Sequence, residues 1–211
     1  MLLKLPLNTK ESQKKITFID TPGHAAFTQL RARGVDVTDL VVLVVAADEG
    51  VQEQTKESYN HIKAAQVPFI IAANKIDLPA ADLEQLKGQL AEIEIIVEDY
   101  GGDVVMVPVS AQTGEGIDEL LEMILLMAEM EELNYQPEAD LKGVVIESSH
   151  DKAKGALATV LVQEGKLEQG EEIYAEEIKA KVKCLNNWQG ERVKQAKPAD
   201  AVEVLGFKEV P

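Results

Sequence analysis

The sequence has little that would cross-link the chain or hold it in a membrane. Its 211 residues include one cysteine, Cys184, which excludes an internal disulfide and suits a reducing cytosol. No apolar run reaches the roughly 18 residues of a membrane helix, since residues 40–47 are followed at once by Asp48 and Glu49. The apolar run at the start is too short for a secretion signal. We therefore expect a cytoplasmic protein without membrane contact.

Basic residues are also scarce. The chain has 21 Lys and Arg against 37 Asp and Glu, a formal net charge of −16. A surface with this charge repels phosphate backbones, so we expect no DNA binding, and contact with RNA would require a local basic patch. The chain has one such cluster, formed by Lys179, Lys181, Lys183, Arg192, Lys194 and Lys197.

The first segment of interest is a predicted strand that ends in a turn. Residues 14–19 are rich in β-branched and apolar side chains, and Asp20 follows where the strand would end, at the edge of a sheet where ligands bind in open α/β folds. In the turn Thr21-Pro22-Gly23, proline has no N–H and glycine has no Cβ, so one amide could approach an anion closely. The imidazole of His24 could orient a water near neutral pH. Taken alone, the segment is equally compatible with an ordinary turn.

Two further apolar strands end in polar residues. Residues 67–77 end in Asn74, Lys75 and Asp77, and residues 104–109 are followed by Ser110, Ala111 and Gln112. The carboxylate of Asp77 could accept two parallel hydrogen bonds from N1–H and the exocyclic amine of guanine, which adenine does not offer. Asn74 could tie the loop together, and the stem of Lys75 could lie along the base. The alternative is an ordinary turn at a strand end.

The order of elements indicates an α/β domain followed by a β domain. Helices are predicted over residues 25–33, 52–66 and 79–93 and after Gly116, and residues 2–7 and 14–20 are predicted to form a hairpin. Residues 40–47 are apolar on both faces, which is typical of a strand in the middle of a parallel sheet. After the acidic segment 129–140, short strands with regular turns suggest a small antiparallel barrel. These strands are predicted at residues 143–148, 158–164, 171–176, 179–185, 191–196 and 201–207.

Residues 16–27 and 31–34, together with Asn-Lys-x-Asp and Ser-Ala at the later strand ends, resemble the translational GTPases, and within them bacterial translation initiation factor 2. Residues 146–162 resemble the start of that family's second domain. The resemblance implies a partial P-loop-GTPase-like, mostly parallel sheet with helices on both faces in residues 1–136. A barrel that lacks its last strand would follow in residues 137–211. An elongation factor is the alternative within the translational GTPases.

The same resemblance implies GTP or GDP with Mg²⁺ as cofactors. Asp20 would hold Mg²⁺ through water, and the turn Thr21-Pro22-Gly23 would meet the γ-phosphate through the Gly23 amide. His24 would position the attacking water. The residues that would bind guanine are Asn74, Lys75, Asp77, Ser110, Ala111 and Gln112, although Gln112 replaces the lysine usual in the family. The complete protein would hydrolyse GTP on the ribosome, contact ribosomal RNA, and promote initiator tRNA placement and subunit joining, with the tRNA held by domains absent here.

The chain also departs from the family in one motif. No G-x-x-x-x-G-K-[ST] sequence is present, so the phosphate cradle and its lysine are missing. We expect the sheet to lack the strand that would lie between those ending at Asp20 and Ala47, and the chain by itself to bind GTP weakly and to be inactive as a GTPase. The alternative is a nucleotide-free remnant that serves as a ribosome-binding module.

Overall fold

A computed structural model of the chain describes residues 2–9, 12–20, 37–133, 138–151, 155–175 and 178–209. Contacts divide the chain into two compact units. We call residues 22–133 the α/β unit, and residues 1–21 together with 134–211 the barrel unit. No helix in the described ranges is long and apolar enough to cross a membrane.

The described part of the α/β unit contains three strands, three α-helices and one 3₁₀ helix. The strands are β3 (Val41–Ala46), β4 (Phe69–Asn74) and β5 (Met106–Pro108). The α-helices are α1 (Glu53–Ala65), α2 (Leu83–Glu92) and α3 (Ile117–Met130), and Glu98–Tyr100 forms the 3₁₀ helix. The prediction for residues 25–33 lies outside the described residues.

The three strands form one parallel sheet in the order β3-β4-β5. Ala46 pairs with Asn74, and Ala73 pairs with Pro108, so the carboxyl ends of the strands meet at one edge of the sheet. The expectation that residues 40–47 lie in the middle of a sheet is wrong for the structure described. There β3 pairs with β4 alone, and Val44 is 59% exposed. The expected gap between the strands ending at Asp20 and Ala47 stays a prediction.

The core of the α/β unit packs two helices on one face of the sheet. Leu43 and Ile71 are buried there together with Ile62 of α1 and with Leu86 and Leu90 of α2. Burial of each such side chain contributes about 1.5–3 kcal/mol. Residues 70 and 72 alternate with 71 and 73 along β4 and are equally buried, so both faces of this strand are covered.

The described part of the barrel unit contains the antiparallel sheets predicted from short strands with regular turns. The strands of these sheets are β6 (Lys142–Asp151), β7 (Gly155–Glu164), β8 (Leu167–Glu168), β9 (Glu172–Ala175), β10 (Ile178–Asn186), β11 (Arg192–Val193), β12 (Gln195–Ala196) and β13 (Ala201–Phe207). The main sheet has the order β11-β10-β13-β7-β6, with β9 paired to β10, and a second small sheet pairs β12 with β8. The predicted strand 191–196 is in fact two short strands that pair with different partners.

The predicted hairpin is present as β1 (Leu2–Thr9) and β2 (Ser12–Ile19), which pair antiparallel in a sheet of their own. Its contacts group it with the barrel unit, where the Thr17 hydroxyl donates to the carbonyl of Ala199. The sequence assigned these strands to the first domain. The division into domains 1–136 and 137–211 stays a prediction.

Candidate functional site

The carboxyl ends of β4 and β5 border an open cavity of about 280 Å³. Five of the residues predicted to bind guanine line it together with Leu78: they are Asn74, Lys75, Asp77, Ala111 and Gln112. The sixth, Ser110, is fully buried. Two strand-end loops that are more than thirty residues apart in the chain therefore supply one concave site, because β4 and β5 are parallel neighbours.

Asp77 is exposed, but a buried hydroxyl fixes its carboxylate. Ser110 Oγ donates to Asp77 Oδ1 at 2.6 Å and accepts the backbone N–H of Thr113 at 3.1 Å. The second oxygen, Oδ2, has no hydrogen bond to any residue in the described ranges. Because each carboxylate oxygen accepts up to two bonds, the group retains capacity for a ligand with two parallel donors.

Asn74 ties the two loops together. Its Oδ1 accepts the backbone N–H of Lys75 at 2.8 Å and that of Ala111 at 3.0 Å. The backbone adds a third connection, since Ile76 N–H donates to the carbonyl of Val109. The side-chain amide oxygen of Asn74 is therefore committed to the protein, and its NH₂ group is left for a ligand.

Lys75 is held at both ends. Its backbone has a positive φ of 67°, unusual for a residue with a Cβ. Its ammonium lies 3.4 Å from Asp48 Oδ1 and also binds Glu49. The hydrogen bond to Glu49 is the main cause that raises the pKa of Lys75, and Asp48 raises this pKa further.

Asp48 and Glu49 are the residues of this site that the sequence reasoning missed. In the sequence they stand only as the two acids that end an apolar run. The available signal was their position directly after β3, at the same edge of the sheet as Asn74 and Ser110.

Of the five residues predicted to bind phosphate, Mg²⁺ and the attacking water, the structure describes Asp20 alone. Asp20 is exposed and belongs to the barrel unit, while Thr21, Pro22, Gly23 and His24 lie outside the described residues. Across the ranges the structure describes, no group of three or more His, Cys, Asp or Glu could hold a metal ion. The roles assigned to these five residues stay predictions.

The residues of the basic cluster are exposed on the barrel unit. Lys179, Lys181 and Lys183 are exposed and alternate along β10 with buried residues. Lys179 is partly neutralised, since its ammonium lies 2.8 Å from Glu172 and 5.7 Å from the centre of the Tyr174 ring. Contact of this cluster with RNA stays a prediction.

Two family models match the chain. Residues 5–130 match the model described as the elongation factor Tu GTP binding domain, and residues 140–211 match elongation factor G domain 2. Curated relatives named translation initiation factor IF-2 match nearly all of the chain. Those of Kosmotoga olearia, Synechococcus sp. and Deinococcus radiodurans are 57%, 54% and 50% identical over 94%, 95% and 96% of it. The chain spans 29%, 18% and 34% of their lengths.

Solved structures share the fold. Elongation factor SelB from Methanococcus maripaludis, in complex with the GTP analogue GppNHp, has a TM-score of 0.75 at 26% identity. That match covers 95% of this chain and 45% of SelB. GDP-bound aIF5B from Aeropyrum pernix has a TM-score of 0.74 at 27% identity, with 91% of this chain and 40% of aIF5B covered.

Proposed function

The chain belongs to the translational GTPases, the family of the elongation factor Tu GTP binding domain, and from this premise we propose that its α/β unit binds the base of a guanine nucleotide. The observation that carries the proposal is the Asp77 carboxylate, held at the cavity by the fully buried Ser110. A base with an N1–H and a neighbouring exocyclic amine offers the two donors that this carboxylate accepts.

Other groups around the cavity fit the remaining edges of guanine. The NH₂ of Asn74 is available to a ring acceptor, because its oxygen is bound to two backbone amides. The Ala111 amide already donates to Asn74, so a base carbonyl there would have to share that hydrogen. Lys75 lines the cavity, and its stem would cover one face of the base.

For the longer protein we propose translation initiation, with GTP hydrolysis stimulated by the ribosome. The support is the IF-2 name of relatives that match at least 94% of this chain. The turn at Asp20, Thr21, Pro22 and Gly23 would meet the γ-phosphate and the Mg²⁺ ion, and His24 would orient the attacking water. Bound Mg²⁺ supplies a positive charge that neutralises phosphate oxygens. Promotion of initiator tRNA placement and subunit joining belongs to the same proposal, as does contact of the basic cluster with ribosomal RNA.

Replacement of Asp77 by asparagine tests the guanine site. The amide exchanges one acceptor oxygen for a donor NH₂, so we expect guanosine to bind about tenfold more weakly. Xanthosine has a carbonyl in place of the exocyclic amine, and we expect its affinity to fall little. Amide chemical shifts of Ala111 and Gln112, followed during titration of the whole chain at millimolar nucleoside, give both affinities. Asp103→Asn is the control, since Asp103 is exposed and lies before β5, at the opposite edge of the sheet. Equal guanosine-to-xanthosine selectivity in wild type and Asp77→Asn would contradict the assignment.

The role of His24 requires a chain that also carries a phosphate loop. There His24→Ala is expected to suppress ribosome-stimulated hydrolysis while GTP affinity changes little, because the imidazole acts on the attacking water and not on the nucleotide. Single-turnover phosphate release on ribosomes measures the rate of hydrolysis, and equilibrium titration measures the affinity for GTP. Turnover that is equal in the two proteins would remove His24 from the mechanism.

Two alternatives remain within the same family. An elongation factor is favoured by the structural match to SelB. A ribosome-binding module that works without nucleotide is favoured by the missing phosphate-loop motif. Co-sedimentation of the whole chain with ribosomes distinguishes the second alternative, which requires binding that is independent of added guanine nucleotide.

A further inference from the structure

We propose that Asp48 and Glu49, in the turn after β3, are positioning residues that hold the Lys75 side chain along the wall of the cavity and thereby set its affinity for guanine. This inference rests on the proposed guanine site and adds to it a pair of residues from a third strand end. Neither carboxylate is proposed to touch the nucleotide.

The turn that carries the two carboxylates is fixed by hydrogen bonds. The N–H groups of Glu49 and Gly50 both donate to the carbonyl of Ala46, at 3.3 and 2.9 Å. Gln89 of α2 packs directly under Gly50, since a Cβ there would lie 2.1 Å from Gln89 Oε1. The same oxygen accepts Val51 N–H at 2.8 Å. The carboxylates therefore project from a turn anchored on α2.

The partial burial of Asp48 favours its ion pair with the Lys75 ammonium. Its side chain is 17% exposed, and its Oδ1 has no hydrogen bond within the described residues although Lys75 Nζ lies 3.4 Å away. The contact is thus an ion pair without hydrogen-bond geometry. A carboxylate oxygen withdrawn from water is costly unless a positive charge compensates it. Glu49, which is 56% exposed, supplies the hydrogen bond that orients the ammonium.

The two ends of Lys75 then determine where its stem lies. The backbone is held by the bond from its N–H to Asn74 Oδ1, and the ammonium by the acidic turn. A lysine that is already ordered loses less side-chain entropy when a base packs against it. The contacts of Asp48 and Glu49 with Lys75 therefore favour base binding, although neither carboxylate contacts the base.

The direct electrostatic effect of the two acids has the opposite sign. Carboxylates close to the cavity repel the phosphates of a nucleotide, so their removal would strengthen binding of GDP if charge alone mattered. Guanosine carries no phosphate and reports positioning by itself. Comparison of the two ligands therefore separates the two effects.

The experiment titrates the whole isotope-labelled chain with guanosine and with GDP, following the amide shifts of Ala111 and Gln112. Glu49→Gln removes the charge of an exposed side chain with little change in shape, and Asp48→Asn does the same at the partly buried position. Glu94→Gln is the matched control, because it breaks a similar exposed pair, 2.8 Å from Lys63, which lies on α1 and does not line the cavity. We expect guanosine to bind about three- to tenfold more weakly to Glu49→Gln and to Asp48→Asn, and unchanged to Glu94→Gln.

A second measurement reports the contact between Glu49 and the Lys75 ammonium without any ligand. The ¹³Cε shift of Lys75, followed against pH, is expected to give a lower pKa in Glu49→Gln than in wild type, since the main cause of the raised pKa is removed. Glu49→Gln also keeps the test decisive if Asp48→Asn does not fold.

The outcomes separate this inference from the proposed function. If wild type binds guanosine and both variants bind it with the same affinity, the inference alone is overturned. Stronger GDP binding in the variants, with unchanged guanosine binding, overturns it in the same way. An unchanged Lys75 pKa in Glu49→Gln also overturns it. Absence of saturable guanosine shifts in wild type overturns the proposed function and this inference together.

Discussion

Ser110 orients Asp77 from inside the fold. Its hydroxyl is the only side-chain donor to the carboxylate among the described residues, and it simultaneously accepts the Thr113 N–H. The serine is fully buried while the aspartate is exposed. The hydroxyl, which is held at the rigid strand end, therefore fixes a side chain that lines the cavity. A small residue with a hydroxyl is required here, and alanine would satisfy only the first condition.

Ser110→Ala is therefore expected to lower both stability and guanosine affinity. The change leaves the Thr113 N–H without its acceptor and frees the Asp77 carboxylate to rotate, at a cost of about 1–3 kcal/mol in unfolding free energy. Denaturant unfolding and a guanosine titration measure the two effects. Thr113→Ala is the control, since Thr113 is exposed and its hydroxyl accepts only a long 3.4 Å bond from Glu115. Wild-type guanosine affinity in Ser110→Ala would show that Asp77 needs no support.

At the scale of elements, the loop between β5 and α3 contains two glycines with different surroundings. Gly116 precedes α3 with φ of 73°, and a Cβ there would lie 2.1 Å from the carbonyl oxygen of Pro108. Gly114 has φ of 83°, and nothing lies within 4 Å of its Cβ position. Only Gly116 is thus required both for its backbone conformation and for close contact with a strand.

We expect Gly116→Ala to destabilise the α/β unit more than Gly114→Ala. The control variant incurs only the positive-φ cost of about 1–2 kcal/mol, whereas Gly116→Ala must also move α3 away from β5. Denaturant unfolding of the two variants measures the difference, and hydrogen exchange in α3 locates it. Equal destabilisation would mean that the loop absorbs the extra methyl group without displacing the helix.

The helices and strands show where sequence pattern was sufficient. The predicted helix 52–66 is Glu53–Ala65 and the predicted strand 201–207 is Ala201–Phe207, because periodicity and adjacent turn residues are local signals. Within the described residues β3 pairs with β4 alone, so its expected central position was wrong there, since an apolar strand at a sheet edge can have the same composition as a central one. The sequence pattern shows which residues are apolar, but it does not show which strands lie beside them.

For the whole molecule, the two core clusters belong to different units. Leu185 is fully buried in the cluster of the barrel unit, and Leu90 is fully buried in that of the α/β unit. Among the residues that the structure describes, none belongs to both clusters. Each unit therefore buries its own apolar side chains.

Leu185→Ala and Leu90→Ala are each expected to cost about 2–5 kcal/mol and to destabilise only the unit that contains the change. Hydrogen exchange read by mass spectrometry across the chain measures where protection is lost. Leu126→Ala is the control with little effect, because Leu126 is 48% exposed. Loss of protection in both units from one substitution would show that the two unfold as a single cooperative body.

The comparisons with relatives confirm the resemblance to translation initiation factor 2 and the fold class, which is a GTPase-like, mostly parallel sheet followed by a small antiparallel β domain. Both were predictable because short motifs at strand ends are local in sequence. The site assignments stay predictions, and those at residues 21–24 are not addressed by the described structure.

The amino-acid sequence by itself determined the order of the elements, the change from helical to strand periodicity near residue 137, and the motifs that mark a nucleotide-binding family. Each of these depends on residues a few positions apart. Only the tertiary structure decided that Ser110 supports Asp77 across 33 residues of chain and that Glu49 holds Lys75 across 26. The physical reason is that parallel strands bring their carboxyl ends to one edge, and no local pattern records which side chains meet there.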